Sequence, residues 1–195
     1  MRVTTAFKRL LALPGVTVSG VEFAATAVIV TVKLRRRRLE CPVCGYSTRA
    51  RYDSRPVDSR WQHLDLGLWK LQLRARLRRL DCPADGVITE GVPFARHGSK
   101  FTRDFEMLVA WLATRMDTTA ITRLTRISWR TVGRIIERVV SDELDPARLD
   151  GLFEIGVDEI SWRKHHNYLT LVANHRTGKV VWGGEGKNAD IGSWQ

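Results

Sequence analysis

Three cysteines and one aspartate form the part of the sequence whose spacing most directly indicates chemistry. Cys41 and Cys44 belong to a Cys-Pro-Val-Cys-Gly stretch, and Cys82 begins the similar stretch Cys-Pro-Ala-Asp-Gly. Two thiolates at this spacing can share one tetrahedral ion, and the glycine permits the tight turn behind them. In the second stretch Asp85 stands where another thiolate or an imidazole is expected. The spacing therefore predicts a zinc site formed by Cys41, Cys44, Cys82 and Asp85.

The donor set leaves two alternatives open. Oxygen can ligate zinc, but three thiolates with one carboxylate are uncommon in structural sites, so His63 or His97 could be the fourth ligand instead. The other alternative is that Cys41 and Cys44 are reduced residues of a metal-free, degenerate knuckle. Three cysteines do not make a disulfide framework.

Positive charge is concentrated in the middle of the chain. Residues 33–103 contain 17 Lys and Arg against 7 Asp and Glu, which accounts for +10 of the net charge of +11. Most of these cations are arginines, which suit bidentate contacts with phosphate and guanine. A solvated surface would mix both signs, so the excess predicts nucleic-acid binding. The candidate contacts in this part are Arg35, Arg36, Arg37, Arg38, Arg74, Arg76 and Arg78.

Hydrophobic alternation predicts the strands that carry part of this charge. Between residues 69 and 78 apolar and polar residues alternate strictly, and the polar ones include four cations and no carboxylate. This period of two predicts one continuous strand with an apolar face and a cationic face. A short helix at 3–13 and two strands at 16–22 and 27–34 are expected before it.

After Phe101 the hydrophobic period becomes that of a helix, and three helices are predicted at 102–116, 118–124 and 129–140. Asp117 and Ser128 stand where they would cap the second and third helices. A turn near 126–128 makes this a helix-turn-helix, whose third helix enters the DNA major groove. The predicted inward residues are Phe105, Leu108, Val109, Leu112, Val132, Ile135, Ile136 and Val139. The third helix exposes Arg130, Thr131, Arg134 and Arg138.

The exposed cations of the predicted helices divide into two kinds of contact. Arg130 and Arg134 are the candidates for base edges, because they lie in the N-terminal part of the third helix. Arg123, Arg126 and Arg138 are the candidates for phosphates.

Asp158 is the candidate catalytic residue. It closes an apolar strand predicted at 152–158, and such a carboxylate is where nucleotidyl-transferring folds hold a catalytic Mg²⁺. That site needs three or more converging carboxylates, so one Asp does not define it alone. Further strands are predicted at 168–173 and 179–183, joined by a hairpin turn at 174–178.

The elements together indicate an α+β fold in three parts. A small β-rich domain with a zinc ribbon is expected at 1–100, a three-helix helix-turn-helix domain at 101–150, and the first strands of a further domain at 151–195. No apolar run approaches the ~20 residues that span a bilayer, and no signal peptide is recognisable. A cytoplasmic location without a membrane partner is therefore expected.

Taken together, several motifs resemble the ISL-three type insertion-sequence transposases, a family of DDE enzymes. The resemblance follows the family's order along nearly the whole chain, up to about Lys187. It rests on Cys-Pro-Val-Cys-Gly at 41–45, Trp-Gln-His-Leu-Asp at 61–65, Arg-Arg-Leu-Asp-Cys-Pro at 78–83, Phe-Thr-Arg-Asp-Phe at 101–105, Thr-Val-Gly-Arg-Ile-Ile at 131–136, Gly-Val-Asp-Glu-Ile-Ser-Trp at 156–162 and Tyr-Leu-Thr-Leu-Val at 168–172.

The resemblance implies an N-terminal zinc-binding domain, a helix-turn-helix at 102–140, and the start of a ribonuclease-H-like domain at 151. It also implies that Asp158 is the first of three catalytic acids that use Mg²⁺. Enzymes of this family bind the terminal inverted repeats of their own element as double-stranded DNA. They cut and rejoin DNA, and they generally work as multimers on paired ends.

The chain departs from the family pattern in two places. Asp85 replaces the expected fourth zinc ligand, and the second and third catalytic acids would lie beyond residue 195. The sequence therefore predicts a C-terminally truncated transposase that binds DNA but carries out no strand transfer alone. The alternatives are a non-catalytic DNA-binding regulator derived from a transposase, and a gene product without a role.

Overall fold

The computed structural model describes residues 2–144, 146–163 and 167–185. It divides into two compact units, Met1–Val140 and Ser141–Gln195, and each is considered by itself. The stretch after Lys187, where the family resemblance is lost, lies outside the described residues. The domain border expected between residues 100 and 101 falls inside the first unit.

The described residues form four helices, twelve strands and a short 3-10 helix at Pro146–Leu149. The helices are α1 (Val3–Leu11), α2 (Arg103–Ala113), α3 (Thr118–Thr125) and α4 (Trp129–Glu143). The strands are β1 (Val16–Phe23), β2 (Ala27–Leu34), β3 (Leu39–Glu40), β4 (Ser47–Thr48), β5 (Asp53–Ser54), β6 (Ser59–Gln62), β7 (Lys70–Ala75), β8 (Arg78–Cys82), β9 (Gly86–Thr89), β10 (Ile155–Arg163), β11 (Asn167–Asn174) and β12 (Lys179–Glu185). This mixture confirms the α+β class.

The largest sheet of the first unit has the strand order β1-β2-β7-β6. β2 pairs with β7 in parallel, and the other neighbours are antiparallel. One face of the sheet is apolar because alternate residues of a strand point the same way. Val30 and Leu73 are fully buried on that face, and Phe7 of α1 packs against the same core. The strands predicted at 16–22 and 27–34 are confirmed.

The prediction of one continuous strand at 69–78 is wrong. The chain leaves the large sheet after Ala75, and β8 begins at Arg78 in a second sheet of order β5-β8-β9. Ala75 and Leu77 are both buried in the same core, so the alternation continues although the pairing strand changes. A period of two reports the direction of the side chains and not the strand with which they pair.

Helices α2, α3 and α4 pack around one apolar core, and their bounds agree with the predicted bounds to within three residues. The buried members of this core are Phe105, Val109, Leu112, Ile121, Val132, Ile135 and Val139. The expectation that Leu108 faces inward is wrong, since its side chain is 37% exposed. It lies beyond the edge of the face that its buried neighbours define.

Both predicted helix caps are confirmed. The carboxylate of Asp117 accepts a hydrogen bond from the Ala120 N–H at 3.0 Å. The hydroxyl of Ser128 accepts one from the Thr131 N–H at 3.3 Å. These bonds satisfy N–H groups that have no partner within the helix, and they fix where α3 and α4 begin.

The second unit contains an antiparallel sheet of order β10-β11-β12. The predicted hairpin turn joins β11 to β12 and is confirmed, with the Gly178 N–H donating to the Asn174 carbonyl at 2.8 Å. The prediction of a strand that ends at Asp158 is wrong, because β10 runs from Ile155 to Arg163. Its pairing with β11 continues well past Asp158.

Candidate metal centre and nucleic-acid interface

Two matching hairpins carry the predicted metal ligands. β3 and β4 pair on either side of residues 41–46, and β8 and β9 pair on either side of residues 83–85. Gly45 and Gly86 have φ angles of +75° and +66°, in the left-handed region that residues with a Cβ rarely adopt. Each glycine therefore permits the tight turn at the tip of its hairpin, which the sequence predicted.

The four predicted ligands converge in one cluster. Sγ of Cys41, Cys44 and Cys82 and a carboxylate oxygen of Asp85 all lie within 4.8 Å of one another. The Sγ atoms of Cys44 and Cys82 are 3.3 Å apart, and Oδ2 of Asp85 is 3.1 Å from Sγ of Cys41. Around a tetrahedral zinc with bonds of about 2.3 Å, two thiolates stand about 3.8 Å apart. The donor set therefore fits one tetrahedral cation after small shifts.

The histidines considered as fourth ligands do not belong to this cluster. His63 is buried with Nδ1 2.8 Å from the Thr102 hydroxyl, and burial lowers its pKa. His97 is exposed. Asp85 is the fourth member of the cluster.

Two groups of the cluster, the Asp85 carboxyl and the Cys44 thiol, have shifted pKa values. Hydrogen bonds from the thiols of Cys41, Cys44 and Cys82 hold the pKa of the Asp85 carboxyl below its usual range. The backbone N–H of Tyr46 lowers the pKa of the Cys44 thiol, but Asp85 and the neighbouring thiols outweigh it and raise that pKa to about 12. Since thiolates and not thiols ligate metals, binding of a cation here releases thiol protons.

Helices α3 and α4 present cations to solvent. Arg130 and Arg134 are exposed one turn apart on α4, and Arg123 is exposed on α3. In the part of the chain that the structure describes, none of these three forms an ion pair. The Thr131 hydroxyl lies 2.8 Å from the Ser128 hydroxyl, within the N-terminal cap of α4. The three guanidinium groups are therefore available to an external anion.

Arg126 forms the turn between α3 and α4, with a φ of +56°. Its guanidinium lies 2.5 Å from Oδ2 of Asp65 and also donates to the Leu68 carbonyl. The side chains of Gln62 and Lys70 donate to the backbone carbonyls of residues 125 and 126 at 3.4 Å. The turn is thus held by the β-rich part of the same unit.

A buried carboxylate anchors the other end of α4. Glu106 is completely buried, and Arg96 and Arg138 approach its oxygens at 3.0 Å and 2.6 Å. The Ser99 hydroxyl donates to it at 2.7 Å. Arg138, predicted as a phosphate contact, is therefore engaged within the protein, and the network ties α2 and α4 to the segment before α2.

The arginines predicted along residues 74–78 also have internal partners. Arg78 binds the buried carboxylate of Glu90 at 2.7 Å. Arg76 lies 2.6 Å from Asp58. Arg74 donates to the Thr31 hydroxyl and lies 3.3 Å from Glu22. The cationic face predicted for this segment is therefore largely balanced by acids on β1 and next to the ends of β6 and β9.

The four consecutive arginines at 35–38 differ in whether they have a partner within the protein. Arg36 binds Glu40 at 2.5 Å, and Arg38 donates to the Ser47 carbonyl at 2.8 Å. Arg35 and Arg37 are exposed, and neither forms an ion pair with a described residue. Within the run, an ion pair is therefore formed by Arg36, while Arg38 is held by neutral hydrogen-bond acceptors and Arg35 and Arg37 extend to solvent.

The sequence reasoning missed the acids that bind these arginines. Glu106, Asp65 and Glu90 were not singled out, although each governs the setting of at least one predicted contact. A local signal existed only for Glu106, an acid directly beside a core position of a helix. The other two lie in an irregular loop and next to a strand end.

Asp158 is exposed in the middle of β10 and is paired with Leu171 of β11. Two residues earlier, a Cβ built on Gly156 would lie 3.0 Å from the ring of His175, so the small residue leaves room for that ring. Within residues 2–144, 146–163 and 167–185, the cysteine cluster is the only group of three or more ligands that could hold a metal. Among the described residues, Asp158 therefore has no group of carboxylates around it that could complete a catalytic metal site.

Comparison with known proteins identifies the class. Residues 90–140, which contain α2, α3 and all but the last three residues of α4, match the model for the helix-turn-helix domain of transposase family ISL3. The three helices and this match define a helix-turn-helix DNA-binding domain of the ISL3 transposase type. Over an alignment of 194 positions that covers 95% of this chain, the chain is also 38% identical to two transposases for insertion sequence element IS1557. They come from Mycobacterium tuberculosis strains CDC 1551 / Oshkosh and ATCC 25618 / H37Rv.

The chain belongs to the ISL3 type of insertion-sequence transposases, as its motifs indicate. It spans 44% of the length of the two curated relatives. No solved structure matches it significantly. In the part that the structure describes, no helix has both the length and the apolar character that a membrane crossing requires.

Proposed function

We propose that this chain recognises the terminal inverted repeats of an insertion sequence as duplex DNA, through α4. The observation that carries the proposal is the pair Arg130 and Arg134, exposed one turn apart and without an ion-pair partner among the described residues. In a helix-turn-helix this part of the third helix enters the major groove. Arginine there makes bidentate hydrogen bonds to guanine.

The phosphate contacts are assigned to three further predicted contacts that are exposed and form no ion pair with a described residue. These are Arg123 on α3 and Arg35 and Arg37 after β2. Such contacts fix the register of the protein on DNA but carry no sequence information. The remaining predicted contacts are assigned to interactions within the protein and not to DNA, since each already binds an internal partner: Arg36, Arg38, Arg74, Arg76, Arg78, Arg126 and Arg138.

The cation proposed for the cluster is zinc, held by Cys41, Cys44, Cys82 and Asp85. Thiolate-rich sets of four ligands favour zinc over magnesium or calcium, which prefer oxygen. The ion would join two hairpins whose shared core is small, with Leu39 and Leu80 as its buried aliphatic members. Its role is structural: it supplies no step of a reaction.

Asp158 is proposed as the first acid of a Mg²⁺ site in a ribonuclease-H-like domain that begins with β10, β11 and β12. An exposed carboxylate in the middle of the first strand of an antiparallel sheet supports this assignment. The other acids are proposed to lie outside the described residues. Cutting and rejoining of DNA by a multimer on paired ends is therefore proposed as the activity of the complete catalytic site, to which Asp158 would contribute one acid.

Fluorescence anisotropy with a labelled inverted-repeat duplex tests the proposal. Affinity is expected to fall as salt rises, with a log–log slope of about −0.9 for each phosphate neutralised. A shuffled duplex of the same length and composition gives the non-specific level, which for specific binders is weaker by about 10³-fold or more. Substituting both Arg130 and Arg134 by Ala should reduce binding to that level. The matched control is Arg76→Ala, which should leave it unchanged.

Two results would contradict the proposal in different ways. An affinity that does not depend on salt would exclude binding through phosphates. Equal affinity for the two duplexes, with a steep salt dependence, would leave a non-specific DNA-binding protein and exclude recognition of the inverted repeats.

A further inference from the structure

Gly133 lies in the interior of α4, at a position where the fold itself does not need a glycine. It is the fifth of the fifteen residues of this helix. Glycine is among the least favourable residues for a helix interior, because its backbone loses the most conformational freedom on folding. Its φ is not positive, so no left-handed turn requires it.

No neighbouring atom in the described part of the chain accounts for the glycine either. A Cβ built at this position meets no heavy atom within 4 Å, and the residue is exposed. By contrast, a Cβ at Gly15 or Gly91 would come within 3.3 Å of a proline side chain. Small size at Gly133 therefore serves no packing inside the protein that the structure describes.

The bare backbone lies beside the two arginines proposed to read bases. Residues three and four apart share one face of a helix, so Gly133 is on the face that carries Arg130 and continues to Glu137. Arg134 is the next residue along the chain, and all of these positions are exposed. The face thus has guanidinium groups around a point where the helix has no side chain.

We propose that Gly133 lets the backbone of α4 come close to one base pair of the DNA, so that Arg130 and Arg134 reach neighbouring base edges. This inference rests on the proposed function, because it concerns how deeply the same helix enters the groove. A methyl group at position 133 would hold the helix away from the base pair and lengthen both arginine contacts. Gly133 is therefore a positioning residue for specificity.

The variant Gly133→Ala separates this role from a structural one, because folding and binding should change in opposite directions. Alanine favours the helix, so the midpoint of thermal unfolding should rise by about 2 °C. Affinity for the inverted-repeat duplex should fall about tenfold, the size of effect that one mismatched base pair has. Affinity for the shuffled duplex, which depends on phosphates, should not change.

Ser141→Ala is the matched control, since it also places an alanine at an exposed position of α4, two turns further on. It should leave both affinities unchanged. A Gly133→Ala protein that is more stable and binds the inverted repeat as tightly as the parent overturns the inference. So does an equal loss on both duplexes. If the parent protein itself does not prefer the inverted repeat, the proposed function fails, and the inference fails with it.

Discussion

The arginines of the β-rich part and those of α3 and α4 are one residue type in two electrostatic settings. Arg76 and Arg78 pair with the carboxylates of Asp58 and Glu90, which lie next to strand ends. Arg130 and Arg134 form no ion pair with a described residue. Net charge counts both groups equally, yet only the second leaves its charge for a partner. The position of the acids, more than the number of arginines, marks the surface that can bind DNA.

Removal of the cation should reveal the largest difference between the two regions. Structural zinc contributes on the order of 10 kcal/mol to small zinc-finger peptides, and the hairpins here share only a small core. With a chelator, amide hydrogen exchange is expected to accelerate in residues 39–48 and 78–89, while the core of α2 to α4 keeps its protection. Cys82→Ser should have the same effect without a chelator.

The variant Asp85→Cys is the matched control for the metal experiment, because it restores the ligand that the spacing leads one to expect. It should keep or raise zinc affinity, since thiolates suit this ion well. Metal analysis of the purified protein with less than about half an equivalent of zinc would contradict the site. Amide hydrogen exchange in the two hairpins that does not change with the chelator would show that the hairpins stay folded without an ion.

The buried network around Glu106 should give the next largest effect. Glu106→Gln removes the buried carboxylate that Arg96 and Arg138 both contact, and breaking a buried ion pair in this way costs about 3–5 kcal/mol. The free energy of unfolding, measured with urea, should fall by this amount. Asp58→Asn removes only the exposed partner of Arg76 and should cost less than about 1 kcal/mol. Equal losses in the two variants would remove the distinction between buried and exposed pairs.

The smallest of these effects should distinguish base contacts from phosphate contacts. Arg134→Ala should cost about 1–3 kcal/mol on the inverted repeat and relax its preference over the shuffled duplex. Arg35→Ala should weaken binding to both duplexes alike and reduce the salt slope by about 1. Anisotropy titrations at several salt concentrations measure both quantities. If the two variants behave alike, the division of roles between α4 and the loop after β2 is wrong.

The helical part and the ligand cluster were predictable because their signals are local. Asp117 and Ser128 cap the helices that directly follow them. The two cysteine stretches repeat one pattern, and that pattern by itself folds into a turn. The predicted exposure of Arg130 and Arg134 followed from the same helical period that placed Val132 and Ile135 inside.

The partners of the arginines were not predictable, because they depend on tertiary structure. Arg126 binds an acid 61 residues earlier, and Arg138 binds one 32 residues earlier. Nothing in the local pattern indicates such pairs. For the same reason, alternation between residues 69 and 78 could not show that the chain changes sheets after Ala75. The roles of Asp158 and of the individual arginines stay predictions.

The contacts of Arg126 with Asp65 and Leu68, here called the clamp, hold the turn between α3 and α4. They affect how the preference for a DNA target can change among related insertion sequences. Because Asp65 and Leu68 hold Arg126 from outside the helices, α3 and α4 cannot be exchanged between proteins as an independent unit. A chimaera that exchanges residues 103–143 alone would lose its fit to that loop, whereas one that carries residues 62–70 along would keep it. Substitutions at exposed positions of α4 leave the clamp intact. New target sites are therefore expected to arise by point changes on one helix face, and seldom by exchange of whole helices.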